Sequence, residues 1–361
     1  MILLDSFAYA MPLLLPPSKT LDIEDTSNGV YIGIDLIFGR KIHWSVTKSP
    51  SSHILIVGPS GSGKSVSVSV IVSRLSTKFG APITVFDIKN EYESYMKLFL
   101  GRTFNVWDVT ANYIPLCTCG DEVGAKYDAQ LFVNTINTIF KMPAYVREQL
   151  LDVVTRLCRQ CDETILGEAI PSYWLLEDYE SLDAVLNVFK VYSTTADVLE
   201  MMLNKDIIID LHKIFLLDKK ASATIILYIM KQLLRRSAAS FGGGINRIVV
   251  LDELWHLTHY AIDEFINVLV RYGRGFGIAI AMATQSIDDL NPYANSIVEN
   301  CGMFMALSSA SQSYWLKLAK YLNLSRKGVE NAMKFSGQGT GVLRLYPLEK
   351  PLYVYVDPLS I

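Results

Sequence analysis

From residue 53 onward the chain alternates short unbroken apolar runs with longer segments whose apolar residues recur at helical spacing. The runs predict strands at His53 to Val57, Ile83 to Asp87, Asp206 to Asp210, Arg247 to Asp252, Gly277 to Ala283 and Gly302 to Leu307. Continuous β-branched runs suit strands buried on both faces, and their alternation with helices is the signature of a parallel sheet. The fold class is therefore α/β. Upstream, YIGIDLIFG and the alternating stretch from Arg40 to Val46 read as short strands, followed by a turn over 48–52. Between about 111 and 203 helical spacing takes over, as in AQLFVNTINTIF and REQLLDVVTRLCRQ. The final GVLRLYPLEKPLYVYVD reads as a hairpin closing the sheet. The expected organisation is an N-terminal segment with short strands (1–50), an α/β domain (51–110 and 204–361) and an α-helical insertion (111–203). No fixed-period repeat is visible.

Composition narrows the function classes. Of 361 residues, 50% are hydrophobic and 19% charged, the reverse of the balance that keeps a chain disordered. With 33 basic and 36 acidic residues the net charge is −3, which excludes a protein that coats nucleic acid with its whole surface. Any nucleic-acid contact must be confined to a local patch. A mean hydropathy of +0.26 raises the question of a membrane span. No run reaches roughly 18 uninterrupted apolar residues. The nearest, MILLDSFAYAMPLLLPP, is broken by Asp5 and ended by Pro16 and Pro17, and it lacks the basic leader and cleavage site of a secretory signal. It reads as a buried or peripheral segment, so the expected location is cytoplasmic or peripheral at the inner face of a membrane.

Five cysteines in a chain this long do not make a secreted disulfide framework. Cys117 and Cys119, and Cys158 and Cys161, pair in sequence, but their spacing suits buried or redox-active thiols better than zinc. In a thermophilic source a bridge between the two pairs becomes an option.

The sharpest motif is Gly58, Pro59, Ser60, Gly61, Ser62, Gly63, Lys64 and Ser65, which fits G-x-x-x-x-G-K-[ST] directly after an apolar strand. Glycines let the backbone curl until successive N–H groups converge on phosphate oxygens, and the following helix, entered at Val66, adds its positive end. Lys64 suits the β and γ phosphates and the Ser65 hydroxyl suits Mg²⁺. Residues 65–72, SVSVSVIV, alternate like a strand. The motif requires a helix, and one carrying Val66, Val70 and Leu75 against the sheet is expected.

A second site lies at the end of IVVLDE, where Asp252 and Glu253 follow an apolar strand. Adjacent carboxylates there are costly without a metal or partner, so Asp252 is expected to hold Mg²⁺ and Glu253 to polarise the attacking water. After the strand IAIAMA, Gln285 falls where a γ-phosphate sensor belongs. Arg271 and Arg274, set among glycines, suit a mobile finger better than a helix cap. His256 and His259 read as ordinary helix residues, and Met201, Met202, Met303 and Met305 as core packing. FSGQGTG at 335–341 resembles a transporter signature but follows the carboxylate pair, against that reading.

Together these residues resemble the HerA and FtsK superfamily of P-loop motor ATPases, most closely its HerA-like and conjugative-transfer (type IV secretion) branch. The likeness spans about residues 29–350 and includes FDIKNEY, which is similar to a motif of that branch, with Glu91 beside the site. It implies a RecA-like fold, ATP and Mg²⁺ as cofactors, and a homo-oligomeric, hexameric ring that moves DNA through its channel. It also implies metal and catalytic roles for Asp252 and Glu253, a sensor role for Gln285, and an arginine finger at Arg274 acting on the neighbouring subunit, with Arg271 in reserve. Membrane-associated DNA-transfer machinery is the implied partner. The alternative is an ATPase that energises a secretion or pilus-like machine and acts on protein partners.

Overall fold

The computed structural model describes residues 29–117, 122–161, 163–170, 179–192, 204–239, 244–272, 276–346, 348 and 350–358. In chain order the strands are β1 (Val30–Asp35), β2 (Lys41–Trp44), β3 (Ile54–Val57), β4 (Ile83–Asp87), β5 (Asn105–Asp108), β6 (Ile114–Pro115), β7 (Thr164–Ile165), β8 (Phe189–Val191), β9 (Ile207–Asp210), β10 (Arg247–Leu251), β11 (Ile278–Thr284), β12 (Met303–Leu307), β13 (Thr340–Leu345) and β14 (Leu352–Tyr355). The principal helices are α1 (Lys64–Phe79), α2 (Tyr92–Leu100), α3 (Glu122–Phe140), α4 (Ala144–Gln160), α5 (Tyr179–Leu186), α6 (His212–Leu217), α7 (Lys219–Ala239) and α8 (Leu254–Tyr272).

Among the described residues eleven strands form one sheet, ordered β2-β1-β14-β13-β12-β3-β11-β10-β4-β9-β5. From β12 to β5 all neighbours are parallel, and from β12 back to β2 all are antiparallel. The six strands expected from apolar runs lie in the parallel part. Its edge strand β5 has the sequence NVWD and is half-buried to exposed. It carries no apolar run, because only one side of it is covered by a neighbouring strand. The closing hairpin is β13–β14, and β14 pairs with β1, so residues 30–44 extend the same sheet.

Alternate residues of the parallel strands feed two cores. Leu55, Phe86, Ile209, Val249, Leu251 and Met282 pack with residues of α3, α4, α5, α7 and α8, while Ile54, Ile56, Val85, Ile248 and Val250 pack with α1 and α2. Helix α1 is buried round most of its circumference. Val70 and Leu75 are fully buried and Val66 packs half-buried on the same cluster. That explains how a period-two valine pattern forms a helix: with both sides covered, no polar face is needed, and serines fill the intervening positions. Ser69 Oγ donates to the Ser65 carbonyl (2.7 Å) and Ser76 Oγ to that of Ala81 (2.7 Å), which satisfies these two hydroxyls locally, while those of Ser67 and Ser73 are buried without a partner.

The region between β5 and β9 contains α3, α4, α5 and a small sheet ordered β6-β8-β7. There the thiol reading is corrected. Cys117 and Cys158 form a disulfide, with a Cα separation of 5.6 Å, and Cys161 is also disulfide-bonded. The two segments are packed close by the surrounding apolar side chains, which sequence spacing alone does not reveal. Cys301 is free and buried, and burial pushes its thiol up to about 12. Among the described residues no helix is long and apolar enough to cross a membrane. The segment at 1–17, Cys119, Met201 and Met202 lie outside the described residues, whereas Met303 and Met305 are fully buried.

Candidate active site

Strand register assembles the site. Val57 is level with Thr284 and Ala306, and Leu251 with Met282 and Phe86. The residues that follow, Gly58, Gln285, Asp252 and the turn after Asp87, therefore leave one edge of the sheet together. This carboxyl edge is where open parallel sheets bind ligands.

The first turn is the loop from Gly58 to Ser65. Gly61 (φ +77°) and Gly63 (φ +90°) occupy the left-handed region, and a Cβ on Gly63 would sit 3.0 Å from the Gly339 amide. That amide donates to the Ser62 carbonyl (3.0 Å), so the 335–341 segment seats directly on the loop. Lys64 Nζ folds across the loop and donates to the Gly58 (2.8 Å) and Pro59 (3.2 Å) carbonyls. Burial lowers its pKa, against the pull of Asp252 and Glu253.

Ser65, in the first turn of α1, has its hydroxyl donating toward Glu91 Oε1 (2.7 Å) and 3.2 Å from Asp252 Oδ2. Asp252 is buried, accepts from the Tyr92 hydroxyl (3.1 Å) and the Glu253 amide (2.8 Å), and has its pKa raised by burial. Beside it Glu253 sits in the left-handed region (φ +52°). Its carboxylate is ion-paired with Lys89 and accepts from Trp255 Nε1 (2.7 Å) and Gln285 Nε2 (3.2 Å). Burial pushes its pKa up, but Lys89, Gln285 and Trp255 outweigh that and leave it lowered.

The structure thus brings Lys64, Ser65, Asp252, Glu253 and Gln285 together. Arg274, and the Arg271 side chain, lie outside the described residues. His256 is buried among the rings of Phe215, Trp255 and Tyr260, and His259 is exposed beside Tyr260. Lys89 and Tyr92 lie within FDIKNEY, the stretch that resembles a family motif, but only Glu91 of it is read from the sequence as beside the site, and Trp255 carries no motif. The donor set suits Mg²⁺: a hydroxyl and two carboxylates, all hard oxygens, with buried Asp252 lacking full compensation for its charge.

A glycine loop feeding a helix, with a strand that ends in two carboxylates two places along the same parallel sheet, defines a P-loop nucleoside triphosphatase site. The chain belongs to the family described as "Helicase HerA, central domain", whose profile matches residues 41–237, more than half of the chain. It is similar to the DNA import protein CedB of Sulfolobus acidocaldarius, with 24% identity over 360 residues and 94% of this chain covered. The chain spans 58% of that relative's length. Its fold is that of VirB4 of Thermoanaerobacter pseudethanolicus (TM-score 0.63, 15% identity, 92% of this chain and 97% of that one). The plasmid coupling protein TrwB, solved with an ATP analogue, gives a TM-score of 0.59 at 14% identity, covering 93% of this chain and 90% of that one. TrwB has also been solved with ADP and Mg²⁺. These likenesses show a RecA-like fold.

Proposed function

We propose that the protein is an ATP-hydrolysing motor that moves DNA, working as a homo-oligomeric ring of six subunits. The observation that carries hydrolysis is the meeting of Lys64, Ser65, Asp252, Glu253 and Gln285 at one sheet edge. DNA as cargo is supported by the HerA helicase family and by the relative named for DNA import. The stretch from Gly58 to Val66 holds the phosphates of ATP, whose oxygens compete with the Gly58 and Pro59 carbonyls for the Lys64 ammonium. Ser65 and Asp252 hold Mg²⁺, which when bound neutralises charge on the phosphates. Glu253, kept ionised, accepts a hydrogen bond from the attacking water and draws off its proton. Gln285 orients that carboxylate and reports on the γ phosphate. Arg274 completes the site of the neighbouring subunit, so hydrolysis requires assembly. A net charge of −3 is compatible with such a ring, in which only the channel-lining loops need be basic. Cytoplasmic placement beside membrane-associated transfer machinery fits this role, as does the division into a short N-terminal segment, ATPase domain and helical insertion.

The test is the ATPase rate with and without DNA, for the native chain and Glu253→Gln. The variant is expected to bind ATP and lose about 10²–10⁴ in turnover. Undiminished turnover would remove Glu253 from the mechanism. Stimulation by a protein partner and by neither DNA form would favour the secretion reading.

A further inference from the structure

The turn between β4 and α2 touches three polar groups of the site, Ser65, Asp252 and Glu253. Asp87, 2% exposed at the end of β4, accepts the amides of Lys89 (3.0 Å), Asn90 (2.8 Å) and Tyr92 (2.9 Å). Asn90 takes the left-handed conformation (φ +58°) that lets the chain wrap round this carboxylate. From the clamped turn Lys89 reaches Glu253, Glu91 reaches Ser65 and Tyr92 reaches Asp252.

We propose that Lys89 is a positioning residue for Glu253; this rests on the reading of Glu253 as the group that activates water. Glu253 is a non-glycine residue with positive φ, a conformation that costs about 1–2 kcal/mol and persists only where surrounding contacts determine it. Its carboxylate is adjacent in sequence to a second, buried carboxylate, and their repulsion would drive it out of place without a shared cation. Lys89 Nζ pairs with Glu253 and lies 4.0 Å from Asp252 Oδ2, so one ammonium serves both. Lys64 does not take that place, since its hydrogen bonds go to Gly58 and Pro59. Trp255 and Gln285 fix the carboxylate from its other sides, but neither carries charge. Lys89 acts through Glu253, and the described contacts of its side chain include none with the phosphate loop.

The experiment measures kcat and KM for ATP, the affinity for a fluorescent ATP analogue and the thermal midpoint of the full chain. It compares Lys89→Ala, Lys89→Arg, Glu253→Gln and the Lys89→Ala/Glu253→Gln double variant. Lys89→Ala is expected to lower kcat about 10- to 100-fold with KM, analogue affinity and midpoint close to native. Lys89→Arg should restore part of kcat, and in the Glu253→Gln background Lys89→Ala should cost nothing further. A kcat at or above native in Lys89→Ala, with Glu253→Gln inactive, would overturn the role of Lys89 and leave Glu253 standing. Loss of analogue affinity or midpoint in step with kcat would make Lys89 structural. An active Glu253→Gln would overturn both.

Discussion

Two turns leave the same sheet edge and are built by opposite means. The turn after β3 is shaped by glycines at positive φ, and its defining chemistry is backbone. The turn after β4 is shaped by a buried aspartate that consumes three backbone amides, and its defining chemistry is the three side chains it aims. The difference teaches what each must do. A loop that binds a changing anion keeps its N–H groups available, whereas a loop that aims side chains at fixed partners can use its amides to hold itself rigid. A ligand that enters the first turn meets groups already set by the second.

Breaking the first turn should have the largest effect. Lys64→Ala is expected to weaken ATP binding by about 10²-fold or more while leaving the thermal midpoint near native, measured by titration with a fluorescent analogue. Breaking the second should act differently. Asp87→Ala leaves three amides without their acceptor and is expected to cost about 3–5 kcal/mol by denaturant unfolding. Equal losses of ATP affinity and stability in both variants would erase the distinction between the turns.

A pH series sharpens the comparison further, because neither turn carries a histidine. Beneath Trp255, burial lowers the His256 pKa from 6.5 to about 4. The folded state then refuses a proton that the unfolded chain accepts. Stability from this group is full above pH 6.5 and is lost progressively as pH falls toward 4, by about 3 kcal/mol in all. His256→Phe should flatten the unfolding free energy over that interval. An unchanged slope would move the acid sensitivity elsewhere.

Much of this was legible in the sequence, for reasons that differ by element. Strands β3, β4, β9, β10, β11 and β12 announce themselves because burial on both faces demands unbroken apolar runs. Edge strand β5 does not, being covered on one side. The phosphate loop was legible because its chemistry is consecutive, and Asp252 and Glu253 because paired carboxylates at a strand end need a reason. The reach of Lys89 to Glu253 and of Tyr92 to Asp252 was not, because it depends on the pairing of β4 with β10, and Trp255, which bonds Glu253 two residues away, stands in no motif. Sequence order argues against FSGQGTG as a transporter signature, yet its Gly339 lies on the loop through the sheet order β13-β12-β3. A bridge between the cysteine pairs was legible only as an option, since 41 residues separate Cys117 from Cys158 and spacing does not choose the partners.

If the two turns jointly form an ATP-hydrolysing site that drives DNA movement, DNA should change the rate of that site. The deciding measurement is steady-state ATP hydrolysis by the full chain without DNA, with single-stranded DNA and with double-stranded DNA, using Glu253→Gln as the blank. Hydrolysis should rise severalfold with at least one DNA form and vanish in the blank. Equal rates under all three conditions, or a blank as fast as the native chain, would contradict that joint function.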